Sequence, residues 1–127
     1  MHEMGLCEAV LGVVRDVSDD APVRRVRLRV GRLQGVVPDV FDACWRMVAQ
    51  DTGAASAELV LADVPVRVRC RVCAAEGEPE AGTVACPACG AVSVDLVAGE
   101  ELTVEEVELE DGEVRRNPGL TATVAGS

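Results

Sequence analysis

The sequence predicts an α+β fold, in which two helices pack on a small mixed β-sheet and a zinc-ribbon-like unit is inserted late in the chain. Three observations carry this expectation. Apolar residues recur at helical spacing in two early stretches, around 4–17 and 38–48. They recur at alternate positions in segments beginning near Val23, Glu58, Val92 and Glu101. Between the second and third of those segments lie four cysteines in two C-x-x-C pairs, C-R-V-C from Cys70 and C-P-A-C-G from Cys86.

The chain has 127 residues, enough for one compact domain with a small appendage. Nearly half of it is apolar, yet it holds one Phe, one Trp and no Tyr, so the core must be built from Val, Leu and Ala.

In the first helix, Leu6, Val10, Val13, Val14 and Val17 share a face, opposite Glu8, Gly12, Arg15 and Asp16. Ser18 to Pro22 supplies the turn that ends it. From Val23 to Leu33 the period becomes two, with Val26, Leu28 and Val30 on one side and Arg25, Arg27 and Arg29 on the other. The segment Glu101 to Glu110 alternates likewise, with a phase slip at Glu105-Glu106 that predicts a bulge. Paired in one sheet, its glutamates and the arginine stripe neutralise each other; that reading is preferred to a binding patch.

A glycine-punctuated loop leads to Pro38, suited to the first turn of a second helix. There Val40, Phe41, Cys44, Trp45 and Val48 fall on one stripe, and Gly53 is expected to stop the helix. Cys7 and Cys44 read as buried, reduced thiols. Glu58 to Arg69 reads as one strand, placed at a sheet edge or bulged by Pro65. Arg67, Arg69 and Arg71 are expected to offset the charge of the neighbouring cysteines. Strands at 92–97 and 101–109 follow, around an Ala98-Gly99 turn. The expected domains are 1–68 together with 94–110 for the helices and main sheet, 69–93 for the metal unit, and a disordered tail at 111–127.

Cys70, Cys73, Cys86 and Cys89 dominate the chemistry. Each C-x-x-C forms a tight turn with both sulfurs facing one ion, and two such turns complete a tetrahedron around zinc. Pro87 stiffens the second turn, and Gly90 allows the positive φ that brings backbone N–H groups onto sulfur. The competing readings are two disulfides or a rubredoxin-like iron site. No basic leader precedes the helix, and no apolar run approaches the roughly 20 residues needed to span a bilayer. A reducing cytosol is therefore expected, where such pairs bind metal.

The net charge is −10, and all twelve basic residues are arginine. Four thiolates around a divalent ion make the balance more negative still. Such a chain is repelled by a phosphate backbone, which counts against a nucleic-acid-binding or regulatory zinc ribbon, the main alternative function. No Ser/His/Asp set can be assembled, so an enzyme is not expected. The sole histidine is His2. A free α-amine, the backbone nitrogen of residue 2 and this imidazole can close adjacent five- and six-membered chelate rings, a nitrogen-rich set that suits Ni(II) or Cu(II).

The start M-H-E-M-G-L-C, the strand R-V-R-L-R-V-G-R-L-Q-G-V and the late C-x-x-C with C-P-x-C-G together resemble the HypA/HybF family of hydrogenase maturation nickel metallochaperones, over about residues 1–110. The resemblance implies an α/β nickel domain with an inserted zinc domain. It implies nickel on His2, the Met1 amine and the backbone nitrogen of Glu3, and structural zinc on Cys70, Cys73, Cys86 and Cys89. It further implies delivery of Ni(II) in the cytoplasm to the [NiFe]-hydrogenase large subunit, alongside a HypB-type GTPase, and in some species service to urease.

Overall fold

The computed structural model describes residues 2–117, and of His2 the backbone alone. Helix α1 runs over His2–Ser18, strand β1 over Val23–Gly31, and a single 3₁₀ turn over Arg32–Gln34. Helix α2 follows at Pro38–Val48, then β2 (Glu58–Val64), β3 (Arg67–Cys70), β4 (Glu76–Gly77), β5 (Val94–Ala98), β6 (Leu102–Leu109) and β7 (Val114–Arg116).

Two sheets result. The first has the order β2-β1-β6-β7 and the second β4-β3-β5. In the first sheet β2 lies parallel to β1, β6 runs antiparallel to β1 and β7 antiparallel to β6, so the sheet is mixed as expected. A parallel pair needs a crossover, and α2 with its flanking turns supplies it.

Both helices bury one stripe against the first sheet. Leu6, Cys7, Val10 and Val14 of α1 meet Phe41 and Trp45 of α2 above Val26, Leu28, Val104 and Val107 of the strands. The indole nitrogen of Trp45 has no hydrogen-bond partner among the described residues, so packing alone holds the ring. The bulge falls where the phase slips: Arg27 faces Glu106 while Leu28 faces Val104, leaving Glu105 as the extra residue. That one insertion lets Leu102, Val104, Val107 and Leu109 all turn inward.

On the outer face Arg25 and Arg27 of the arginine stripe, with Arg24 beside them, are neutralised as expected. Arg24 and Arg25 reach Glu108 at 3.0 and 3.2 Å, Arg25 reaches Glu58 at 2.9 Å, and Arg27 reaches Glu106 at 3.6 Å. These pairs are solvated, so each contributes about 0–1 kcal/mol.

Four expectations need correction. Helix α2 ends at Val48, not at Gly53. The Ala49 N–H makes the last helical bond to Trp45, and the Thr52 hydroxyl then donates to the Ala49 carbonyl and accepts the Ala54 N–H. Gly53 serves packing instead, because a Cβ there would lie 2.7 Å from the Ala21 carbonyl oxygen. On α2 itself Phe41 and Trp45 are buried, but Val40 points outward. The stretch 58–69 is two strands rather than one. Pro65 lacks the N–H a ladder needs, and the chain leaves the first sheet there for the second. Residues 111–117 are not tail: β7 pairs with β6, and Asn117 donates to the carbonyls of Val104 and Glu105 beside the bulge. Positions 118–127 lie outside the described residues.

Candidate metal centre

Strand β3 delivers Cys70 to its end, and the chain then turns twice in the same way. In the first turn the Cys70 N–H donates to Ala75, and the Cys70 carbonyl accepts the Ala74 N–H, at 2.8 and 3.1 Å. The second repeats this with Cys86, Ala91 and Gly90, at 2.8 and 2.9 Å. Inside each loop two amides point at the first sulfur. Val72 and Cys73 donate to Cys70 Sγ at 3.3 and 3.4 Å, and Ala88 and Cys89 donate to Cys86 Sγ at the same distances. Closing such a turn requires a left-handed residue at its fifth position. Gly90 takes it with φ 77°, as the sequence implied, and Ala74 takes it with φ 65°, which the sequence did not reveal.

The two turns face each other. Cys70 Sγ lies 3.6 Å from Cys89 Sγ, and Cys73 Sγ lies 3.6 Å from Cys86 Sγ. All four sulfurs fall within 4.8 Å of one another. The first cysteine of each pair is buried and the second exposed. An N–H from Arg71 to the Ser93 carbonyl at 2.9 Å ties the first turn to the chain leaving the second.

Electrostatics favour thiolate at the first cysteine of each pair. The Cys73 N–H, with that of Val72, holds the Cys70 thiol below its ordinary range against the opposing pull of burial. The Cys89 and Ala88 N–H groups likewise lower Cys86 to about 6. At Cys89 an N–H from Ala91 pulls downward. Bonds with the Cys70, Cys73 and Cys86 sulfurs, together with burial, outweigh it and push the thiol up to about 12. Four sulfurs this close cannot all ionise without a cation among them. Four soft donors gathered within 4.8 Å of one another, the first of each pair fed by backbone N–H groups, fit zinc or iron and leave no open position for a substrate.

The arginines beside the site behave differently from expectation. Arg67 and Arg69 both pair with Glu76, at 3.3 and 2.9 Å, and Arg71 pairs with Asp95. Their charge is spent on carboxylates of the second sheet rather than on sulfur, and both carboxylates are held below their usual range by these bonds.

The thiol unit is anchored to the first sheet at one seam. Gly31 donates to the Glu101 carbonyl at 2.6 Å and Leu33 to Gly99 at 2.9 Å. Arg32 spans the seam, reaching Asp63 at 3.0 Å and Glu78 at 3.3 Å. No local pattern in the sequence marks Arg32 for this, since its partners lie far along the chain.

Of the three residues expected at the N-terminal site, Met1 and the His2 side chain lie outside the described residues. The structure places the His2 backbone at the first position of α1 and Glu3 in its first turn, half-buried. Cys7 and Cys44 stand where α1 meets α2. Cys7 is wholly buried and donates to the Phe41 carbonyl at 3.4 Å, while Cys44 is half-buried. Burial, reinforced by Cys44, Glu3 and Asp42 nearby, pushes the Cys7 thiol up to about 12.

Fold and thiol quartet together define a small α+β protein with a metal-binding module built into its chain. Comparison with known proteins specifies the family. The chain belongs to the HypA family, described as hydrogenase/urease nickel incorporation metallochaperones, whose profile matches residues 1–109. Hydrogenase maturation factor HypA of Streptomyces avermitilis is 42% identical over 119 residues, covering 88% of this chain and 89% of the relative. The HypA of Trichormus variabilis is 36% identical over 111 residues, covering 87% and 97%. The solution structure of the Ni metallochaperone HypA from Helicobacter pylori superposes with a TM-score of 0.66 at 19% identity, covering 86% of this chain and 97% of that one. At that identity the likeness shows the fold. Among the described residues no helix is long and apolar enough to cross a membrane. The nucleic-acid alternative loses its one attraction, since most of the arginine stripe is paired with glutamate.

Proposed function

We propose that the chain carries one Ni(II) on its first three residues and holds Zn(II) in the four-cysteine module. In this reading nickel is cargo and zinc is structural. The nickel ligands are the His2 imidazole, the Met1 amine and backbone nitrogens of His2 and Glu3. The recipient is the large subunit of [NiFe]-hydrogenase, reached together with a HypB-type GTPase, with urease maturation as a further client where it is present. The protein transfers metal in the cytoplasm, catalyses no reaction, and needs neither nucleic acid nor a membrane. Its working division is 1–68 with 94–110 for nickel and 69–93 for zinc. The second sheet itself runs slightly wider, from Arg67 to Ala98.

The observation that carries this reading is a family match beginning at residue 1, on a chain whose first helix starts at His2. The opening N–H groups of a helix have no intrahelical acceptor. The amides of His2 and Glu3 are therefore not committed to the ladder, and their nitrogens can join an amine and an imidazole in a near-planar set suited to nickel. Zinc, when bound, cross-links the two turns through Cys70, Cys73, Cys86 and Cys89. The buried sulfurs and their four N–H donors hold the geometry, and the two exposed sulfurs close it.

Nickel titration of the untagged protein, with zinc measured in the same sample, tests the proposal. About one nickel per chain is expected, lost in His2→Ala while zinc stays bound. If His2→Ala holds nickel as tightly as the parent, the N-terminal site is not where nickel sits.

A further inference from the structure

The first sheet has one long open edge. Among the described residues β2 pairs with β1 alone, so alternate residues of Glu58–Val64 turn their N–H and C=O groups away from the sheet. The middle of that strand, Leu59 to Ala62, is apolar and half-buried, without the lysine or proline that commonly blocks an edge.

Where β1 and β2 end, α2 begins, and the three elements leave a crevice of about 300 Å³ whose apolar walls are Val30, Val36, Pro38 and Leu61. Crevices at the carboxyl ends of parallel strands are where open α/β sheets commonly take ligands. On the same stretch of chain, from the 3₁₀ turn into the first turn of α2, Leu33, Val37 and Val40 leave 50%, 52% and 45% of their surface exposed. The charge around the opening is unbalanced. Arg32 serves two carboxylates, Asp63 and Glu78, and Asp39 adds a third in the first turn of α2. The whole chain carries −10.

We propose that this edge and crevice bind an extended segment of a partner protein. The segment adds to β2 as a further strand, places one large apolar side chain in the crevice, and carries a cationic residue that answers the surplus carboxylate. Main-chain bonds along β2 supply affinity, and the crevice with its acidic rim supplies selectivity. A second copy of this chain fits poorly. Glu58 and Asp63 stand toward opposite ends of β2, so antiparallel self-pairing brings the acids of one copy against those of the other. The inference uses no ligand of either metal site and stands apart from the nickel reading.

The test uses the full chain and a fluorescein-labelled nine-residue peptide of alternating valine and threonine, with a central phenylalanine and an arginine at each end. Fluorescence anisotropy is expected to show saturable binding, and hydrogen exchange is expected to slow at the amides of Leu59 to Ala62. Val37→Ser with Val40→Ser removes exposed apolar surface only, so circular dichroism should be unchanged while binding weakens about tenfold. Replacing the terminal arginines of the peptide by aspartates should cost about as much. The proposal is overturned if binding does not saturate by millimolar peptide, or if a backbone N-methylated or acid-ended peptide binds as well. It is also overturned if ultracentrifugation shows a dimer that the peptide does not dissociate, since a second copy would then occupy the edge.

Discussion

Replacing Gly90 by alanine separates backbone strain from every other contribution to metal affinity. Gly90 sits at φ 77°, and a Cβ added there meets no atom within 4 Å. The substitution therefore introduces no clash, loses no ligand and changes no charge. What remains is the cost of holding an L-residue in the left-handed region, about 1–2 kcal/mol. Because structural metal binding and local folding are one equilibrium in such modules, that cost should appear directly in the zinc dissociation constant. One to two kcal/mol corresponds to a weakening of roughly five- to thirtyfold. Ala74, at φ 65° in the matching position of the first turn, provides the reciprocal experiment. Ala74→Gly should relieve similar strain, less the about 0.4–1 kcal/mol that a freer unfolded chain costs, so affinity should rise by a fewfold at most. Competition against a chromophoric chelator measures both variants, and the double variant should recover part of the loss. Equal affinity in Gly90→Ala and the parent would refute the strain argument, and a loss beyond a thousandfold would show that the glycine does something other than set φ.

Gly31→Ala should destabilise the whole protein by about 3 kcal/mol or more, seen as a lowered melting temperature, because its Cβ would lie 2.1 Å from the Gly99 carbonyl oxygen and neither backbone can yield cheaply. Stripping metal with a strong chelator should unfold the segment from Arg67 to Ala98 while the helical circular dichroism of α1 and α2 persists. A loss of helix signal in step with zinc release would refute that separation. Alkali provides the last test. Burial raises Cys7 from the ordinary thiol value of 9.0 to about 12, so the unfolded chain ionises first, and stability present below pH 9 drains away as pH climbs toward 12. Cys7→Val keeps the site apolar without the proton, and denaturant midpoints should then fall less over that interval than in the parent.

Periodicity made the helices, the central strands and the bulge legible, because each buries one face against a common core. The slip at Glu105 could be read since core residues on both sides of it demand the same face. Pro65 was visible as a disturbance, but its meaning was not. Whether a proline bends a strand or hands the chain to another sheet depends on where the next strand finds partners, and those partners are remote in sequence. Short β7 was hidden for a similar reason: Val114 to Arg116 has too few residues to display a period, and its pairing is stabilised by an edge that β6 presents. At the candidate metal centre the four clustered cysteines and the left-handed Gly90 were plain from spacing. Ala74 escaped notice because alanine carries no sign of a left-handed backbone. The carboxylate partners of Arg67, Arg69 and Arg71 were equally concealed, being fixed by strand register in the second sheet.

The position of β6 has a consequence for how the molecule is made. It lies between β1 and β7 and gives Leu102, Val104, Val107 and Leu109 to the core, yet it is synthesised after all four thiols. A nascent chain thus emerges with both helices and β1 lacking the strand that seals them, while the residues of the second sheet are already out. Pairing β3 with β5 pulls the two ends of the excursion from Val64 to Leu102 together and so lowers the entropy cost of returning to the first sheet. An ion caught by the cysteines at that moment would act as a clasp on an unfinished domain, and metal supply would then bear on how fast the protein matures.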